Sequence, residues 1–236
     1  MIIDFLDLEK TLNLQFTNKN LLKTAFTHRS YLNECRDQNI ESNERLEFLG
    51  DSVLQFLTSK LLYAKYQNQP EGILTSYRAA IVNTTSLAQE ALRLNLGKYL
   101  LMSKGEEATG GRTRPYIMAN TFEALLGTMF LEFNSLTSGL DICEKFLYKE
   151  LFYKIESIVK DKKYRDPKSY LQEITQEKFS VTPLYKVLNE EGPDHNKVFT
   201  VGVFLDTKQL SQGQGSSKQK AEERAAQKAV VELTSK

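Results

Sequence analysis

The sequence predicts an all-α domain followed by a small α+β domain in the order α-β-β-β-α, and three observations carry that division. Apolar residues recur every three or four positions through Leu46, Leu49, Val53, Leu54, Leu57, Leu61 and Leu62, which is a helical period. Alternation of period two begins only later, at Tyr185 and Val187 and then at Phe199, Val201, Val203 and Leu205. Between the two textures lies KDKKYRDP, at 160–167, which is charged and aperiodic and reads as a linker.

The elements follow in order. Beyond the helix through Leu46–Leu62, helical stretches are expected over 74–94 and 117–133, then from 140 into the 150s. Breaks fall at 68–72 and at 103–115, the second rich in glycine (Gly105, Gly110, Gly111) and expected to be a flexible interhelical loop. Asp166 before Pro167 looks like an N-cap and a first-turn proline opening a helix to about residue 178. After two alternating strands, Asp206-Thr207-Lys208 reads as a tight turn into a short third strand. A last helix runs from 217 to about 234, with Ala221, Ala225, Ala229 and Leu233 on one face. The expected domains are 1–157 and 167–236, joined by a linker over 158–166.

Composition narrows the class of function. The chain has 236 residues, 41% of them hydrophobic and 26% charged, which supports a core and excludes wholesale disorder. A net charge of +1 gives no bulk electrostatic support for a polyanionic partner. Neither half is extreme: 18 Lys+Arg stand against 19 Asp+Glu up to residue 160, and 13 against 11 beyond it. Cys35 and Cys143 lack a CxxC pattern or a neighbouring histidine, so reduced thiols are expected rather than a disulfide framework or a zinc site. The opening MIIDFLDLEK carries acids where a secretory leader needs positive charge, and no apolar run approaches a membrane span. A cytoplasmic protein with no membrane partner is expected.

The stretch Asn43-Glu44-Arg45-Leu46-Glu47-Phe48-Leu49-Gly50-Asp51-Ser52-Val53-Leu54 is the most informative. At 100° per residue, Glu44 and Asp51 lie within about 20° of each other and Glu47 about 60° away. A solvated stripe relieved by Arg45 is the plainer explanation, but the helix continues as VLQFLTSKLLY, too apolar for a surface element. Gly50, beside Asp51, leaves room for another helix to approach. A second apolar stretch, NTFEALLG, sets Asn120 and Glu123 three apart. Paired helices bearing hard oxygen donors suit Mg²⁺ and a metal-assisted hydrolysis of a phosphodiester.

NERLEFLGDSVL closely resembles the signature stretch of the ribonuclease III family. Thr27-His28-Arg29-Ser30 upstream, Glu71-Gly72 and Arg78-Ala79 downstream, and NTFEALLG extend the resemblance over essentially the whole chain. The resemblance implies an endonuclease for double-stranded RNA that depends on Mg²⁺, with Mn²⁺ as a substitute, and leaves 5′-phosphates and short 3′ overhangs. It implies processing of ribosomal RNA precursors and structured messenger or transfer RNA transcripts. Asp51 and Glu123 would be catalytic; Glu47, Asp51, Asn120 and Glu123 would hold metal; Glu44 and Glu71 would support the cleavage centre. Phe48 would sit at the contact of a homodimer. The family usually has Asp where this chain has Asn120, which implies weaker metal binding. His28 reads as a structural hydrogen-bonding residue, and Arg112 and Arg114 are placed within reach of RNA.

The C-terminal module resembles the double-stranded RNA-binding domain, which reads A-form shape rather than bases. Lys168, Gln172 and Glu173 would face one minor groove and His195 the next. Ser217, Lys218 and Lys220, at the start of the last helix, would meet the intervening phosphates. Gln219 stands where the family commonly has a basic residue, implying softer phosphate affinity. No GxxxxGK[ST] loop is present, so no nucleotide cofactor is expected. The competing function is a non-catalytic double-stranded-RNA-binding protein with a degenerate nuclease domain. Retention of both Asp51 and Glu123 argues against it. A carboxylate-bridged oxidase lacks the histidine ligands such sites use.

Overall fold

The computed structural model describes residues 4–35, 40–133, 136–193 and 197–234. It divides into two compact units, Met1–Tyr164 and Arg165–Lys236.

The first unit is helical: α1 (Leu6–Leu12), α2 (Lys19–Ala25), α3 (Arg29–Leu32), α4 (Glu44–Lys65), α5 (Glu71–Val82), α6 (Thr84–Arg93), α7 (Lys104–Ala108), α8 (Pro115–Glu132), α9 (Leu136–Glu150) and α10 (Ile155–Lys160). α8 is the central rod. Pro115 occupies its first turn, and from Ile117 to Met129 nearly every side chain is buried, so it has no polar face to present to water. Its two buried threonines bond back within the helix, Thr121 Oγ1 to the Ile117 carbonyl at 2.7 Å and Thr128 Oγ1 to that of Ala124 at 3.0 Å.

α4 lies against α8 backbone to backbone. A Cβ on Gly50 would overlap the carbonyl oxygen of Glu123, and one on Gly127 would overlap that of Leu46. The approach expected at Gly50 is therefore made, and Gly127 answers it from the facing helix.

Three expectations are corrected. The helix expected over 74–94 is two helices, because Asn83 caps both. Its Nδ2 donates to the Ala79 and Ala80 carbonyls at the end of α5, while its Oδ1 accepts from Ser86 N–H at the start of α6. The glycine-rich stretch 103–115 is not a loose loop. Ser103 caps α7, Gly110 takes a left-handed turn at φ +83°, and a 3₁₀ turn follows at Gly111–Thr113. Arg112 and Arg114 face inward as braces. Arg112 Nη1 donates to the Gly97 and Leu100 carbonyls at 2.8 and 2.9 Å, and Arg114 pairs with Glu106 and donates to the Thr109 carbonyl at 2.9 Å. Finally, the expected linker at 158–166 is helical to Lys160 with Ile158 buried, and Tyr164 packs edge-on against Tyr77 at 4.5 Å. Most of it belongs to the first unit.

The second unit follows the expected order: α11 (Pro167–Phe179), β1 (Leu184–Glu191), β2 (Val198–Leu205), β3 (Lys208–Gly215) and α12 (Lys218–Thr234). Asp166 caps α11 through a 2.8 Å bond from Ser169 N–H. The sheet is antiparallel in the order β1-β2-β3, with Tyr185 opposite Val203 and Val203 opposite Ser211. Asp206, at φ +51°, makes the turn into β3. The core is small, formed by Leu171, Val203, Ala225, Ala226 and Ala229. Alanines on α12 and glycines on β3 allow this, since a Cβ on Gly213 would run into the α12 backbone.

Among the described residues no helix is long and apolar enough to cross a membrane. Gly50→Ala is expected to lower stability by at least about 2 kcal/mol, since the clash is with rigid backbone; urea unfolding at constant m-value measures it.

Candidate active site and RNA-binding surface

The α4–α8 contact brings the acids together. Because Gly50 rests on the Glu123 peptide, the turn of α4 bearing Glu47 and Asp51 faces the turn of α8 bearing Asn120 and Glu123. Their electrostatics show the crowding. Glu123 is pushed up to about 8, chiefly by burial and then by the charges of Asp51 and Glu47. Glu47 is raised by burial, then by Glu44 and Asp51, while a hydrogen bond from Asn120 draws it back. Asn120 thus serves Glu47 as a neutral donor, where an aspartate would add a fourth repelling charge.

The surrounding bonds are few. Asp51 Oδ1 accepts from Gln55 Nε2 at 3.2 Å, and Glu44 accepts from Ser42 Oγ at 2.9 Å with Arg29 at 3.7 Å. Among the described residues no basic side chain pairs with Glu47, Asp51 or Glu123. In these side-chain positions no three acidic, histidine or cysteine groups among the described residues close into a metal cage. The donor set is nonetheless of the kind that suits a divalent cation: partly desolvated carboxylates, mutually repelling, with an amide oxygen available by rotation of Asn120. Glu71 stands apart. It is exposed in the first turn of α5, accepts from Thr75 Oγ1 at 2.8 Å, and is not among the charges acting on Glu47 or Glu123.

Phe48 projects from α4 and is 77% exposed, on a stripe that continues through Phe56 and Tyr63. Exposed aromatics of this size are a feature of interaction surfaces. His28 is structural, as expected: its backbone pairs with Leu101 and its Nδ1 caps α3.

On the second unit, two of the three expected lysines, Lys168 and Lys218, prove to be engaged within the domain. Lys168 Nζ lies 2.6 Å from Glu222 and over the Tyr185 ring, and Lys218 Nζ lies 3.1 Å from Glu190 and over Phe199. Glu190 also holds Lys197, and Glu173 pairs with Arg165 at 3.0 Å. Gln172 and Lys220 are exposed, and Ser217 Oγ accepts from Lys220 N–H at 3.2 Å. His195 lies outside the described residues. The pairings with Glu190 and Glu222 were not anticipated, because they join residues distant in sequence.

With no metal bound, Glu123 keeps its proton in the fold at neutral pH and loses it on unfolding. Its stabilisation is full below its ordinary pKa of 4.5 and is lost as pH rises through about 8. Metal-free protein should therefore fall in Tm over that range by on the order of 10 °C, and Glu123→Gln should flatten the fall; differential scanning calorimetry in EDTA reads both.

Comparison with known proteins matches each of the two units to a family. The family described as Ribonuclease-III-like matches residues 18–155, and the double-stranded RNA binding motif matches residues 167–233. Ribonuclease 3 of Geobacillus thermodenitrificans is 44% identical over 229 residues, covering 97% of this chain and 91% of the relative. Ribonuclease 3 of Streptococcus pneumoniae is 45% identical over 217 residues, covering 92% and 91%. A solved structure of the nuclease domain of ribonuclease III from Campylobacter jejuni, described for flexibility in the region involved in dimer formation, has a TM-score of 0.55. It is 38% identical and covers 62% of this chain and 98% of that one. A catalytic-domain match over more than half the chain, followed by an RNA-binding motif and supported by relatives spanning nearly all of it, makes this chain a member of the ribonuclease III family.

Proposed function

We propose that the chain is a double-stranded-RNA-specific endoribonuclease whose cleavage centre is the acid set of α4 and α8. The observation that carries this is Glu123, on the turn of α8 that faces Asp51 and Glu47, a carboxyl pushed up to about 8 with no basic side chain among the described residues to relieve it. Perturbed acids gathered without a partner are what a metal-dependent site looks like before its cation arrives. Glu47, Asp51, Asn120 and Glu123 would hold the metal, read as Mg²⁺ with Mn²⁺ as a substitute. When bound, it supplies Lewis-acid stabilisation to the phosphate and lets Glu123 ionise. Asp51 and Glu123 would orient the attacking water, Glu44 would hold Arg29 near the site, and Glu71 keeps a supporting role.

Phe48 would seat in a second copy of the chain, giving two centres that cut one strand each and leave 5′-phosphates with short 3′ overhangs. Lys168, Gln172, Glu173, His195, Ser217, Lys218 and Lys220 would read the A-form backbone. Precursors of ribosomal RNA and structured messenger and transfer RNA are the proposed substrates, and the cytoplasm the proposed location.

Long duplex RNA in Mg²⁺ should be cut to short duplexes, with EDTA abolishing the reaction and Glu123→Gln slowing it at least about a hundredfold. Duplex left intact at every Mg²⁺ concentration would establish the binding-only alternative instead. Asn120→Asp replaces a hydrogen-bond donor to Glu47 with a further charge. It should lower the Mg²⁺ concentration for half-maximal cleavage while lowering the metal-free Tm; an unchanged Mg²⁺ dependence removes Asn120 from the metal site.

A further inference from the structure

Beside the acids lies a cavity of about 670 Å³ that shares Glu44, Glu47 and Asn120 with the cleavage centre. Its other wall is built from the segment that begins α3. Thr27 and His28 are pinned there by backbone bonds: His28 N–H donates to the Leu101 carbonyl at 2.9 Å, and Asn43 N–H to that of Thr27 at 2.8 Å.

His28 is oriented from behind. Ser103 N–H donates to Ser30 Oγ at 3.0 Å, Ser30 Oγ lies 2.8 Å from His28 Nδ1, and Ser30 N–H donates to the same nitrogen at 3.3 Å. Nδ1 is therefore an acceptor, and the ring proton resides on Nε2. That N–H has no partner among the described residues, and His28 lines the cavity. Burial holds the imidazole below its ordinary range, so the ring is neutral at pH 7.

Charge selects the occupant. Among the described residues Arg29 is drawn to Glu44 and Glu106 is taken by Arg114, while Glu47 belongs to the metal set of the cleavage centre. Away from that metal set, the wall offers no uncommitted cation to a second phosphate. Its remaining residues, Ser30, Asn33, Asn43, Tyr116 and Ile117, are neutral. Neutral donors and acceptors next to a cleavage centre match a sugar hydroxyl, and in A-form RNA the 2′-hydroxyls line the minor groove.

We propose that this cavity seats the ribose of a nucleotide flanking the cut bond, with His28 Nε2–H donating to its 2′-hydroxyl. The inference rests on the nuclease reading above and deepens it. His28 is then a positioning residue that tells RNA from DNA within the nuclease domain, apart from the RNA-binding domain.

The test uses the full chain and a short hairpin duplex carrying single 2′-fluoro substitutions, which remove the hydroxyl but retain the A-form pucker. Binding is measured in EDTA, so that no cleavage intervenes. His28→Ala is paired with His28→Asn, which retains an N-cap acceptor for Ser30 N–H. At one position next to the cut bond, 2′-fluoro should weaken binding to the parent about five- to tenfold. His28→Asn should weaken all-ribose binding by a similar factor, and the two changes together should cost no more than either alone. Factors that multiply at every position, or no loss from either change, overturn the proposal. The nuclease reading is judged separately, by whether the parent cuts the all-ribose duplex in Mg²⁺. An uncut duplex with the coupling intact defeats that reading and leaves the ribose site standing.

Discussion

The site depends on one contact, the meeting of α4 and α8 at Gly50 and Gly127 with no side chain between them. Interhelical distances normally reflect the side chains that intervene. Here the peptide groups themselves set the spacing, which places the carboxylates of two helices within each other's field. The cost is visible in Glu47 and Glu123, both raised by burial and by their neighbours. The rest of the first unit supplies what tolerates that cost: a central helix buried along its length, braced by α2, α6 and α9.

The same frame shows two ways of handling charge. Away from the acids, buried carboxylates are satisfied: Glu90 takes Lys154, Arg93 and the Tyr153 hydroxyl, and Glu150 takes Arg93 and Lys149. Both stay below the ordinary carboxylate range despite burial. Among the described residues Glu123 has no such partner. Carboxyls left unpaired in a fold that pairs its other buried acids are the candidates for a cation from outside.

Much of this was legible in the sequence because it is local. The i, i+3, i+7 spacing of Glu44, Glu47 and Asp51, the Asn120–Glu123 pair, the Asp166–Pro167 start and the alternation of β2 are properties of short windows. What escaped was non-local. Asn83 serves as a cap for two helices at once, which periodicity cannot register, so one helix was expected where there are two. Arg112 and Arg114 looked free because the carbonyls of Gly97 and Leu100 that hold Arg112 belong to another turn of the chain. His28 was read from the sequence as structural only; that it also lines a cavity, with its inner nitrogen held by Ser30 and Ser30 held by Ser103 some seventy residues away, is a long-range arrangement.

The pairing of Lys168 with Glu222 and of Lys218 with Glu190 carries a consequence for how the small domain meets a polyanion. A free lysine on a protein surface adds its full charge to the attraction, and salt weakens that attraction steeply. A lysine already holding a carboxylate must exchange one anion for another. A polyanion that met Lys168 or Lys218 would displace a tethered carboxylate instead of recruiting a bare cation, and the tethered group would remain at hand to take the lysine back. Competitors built into the surface in this way would favour exchange of a bound polyanion over long residence.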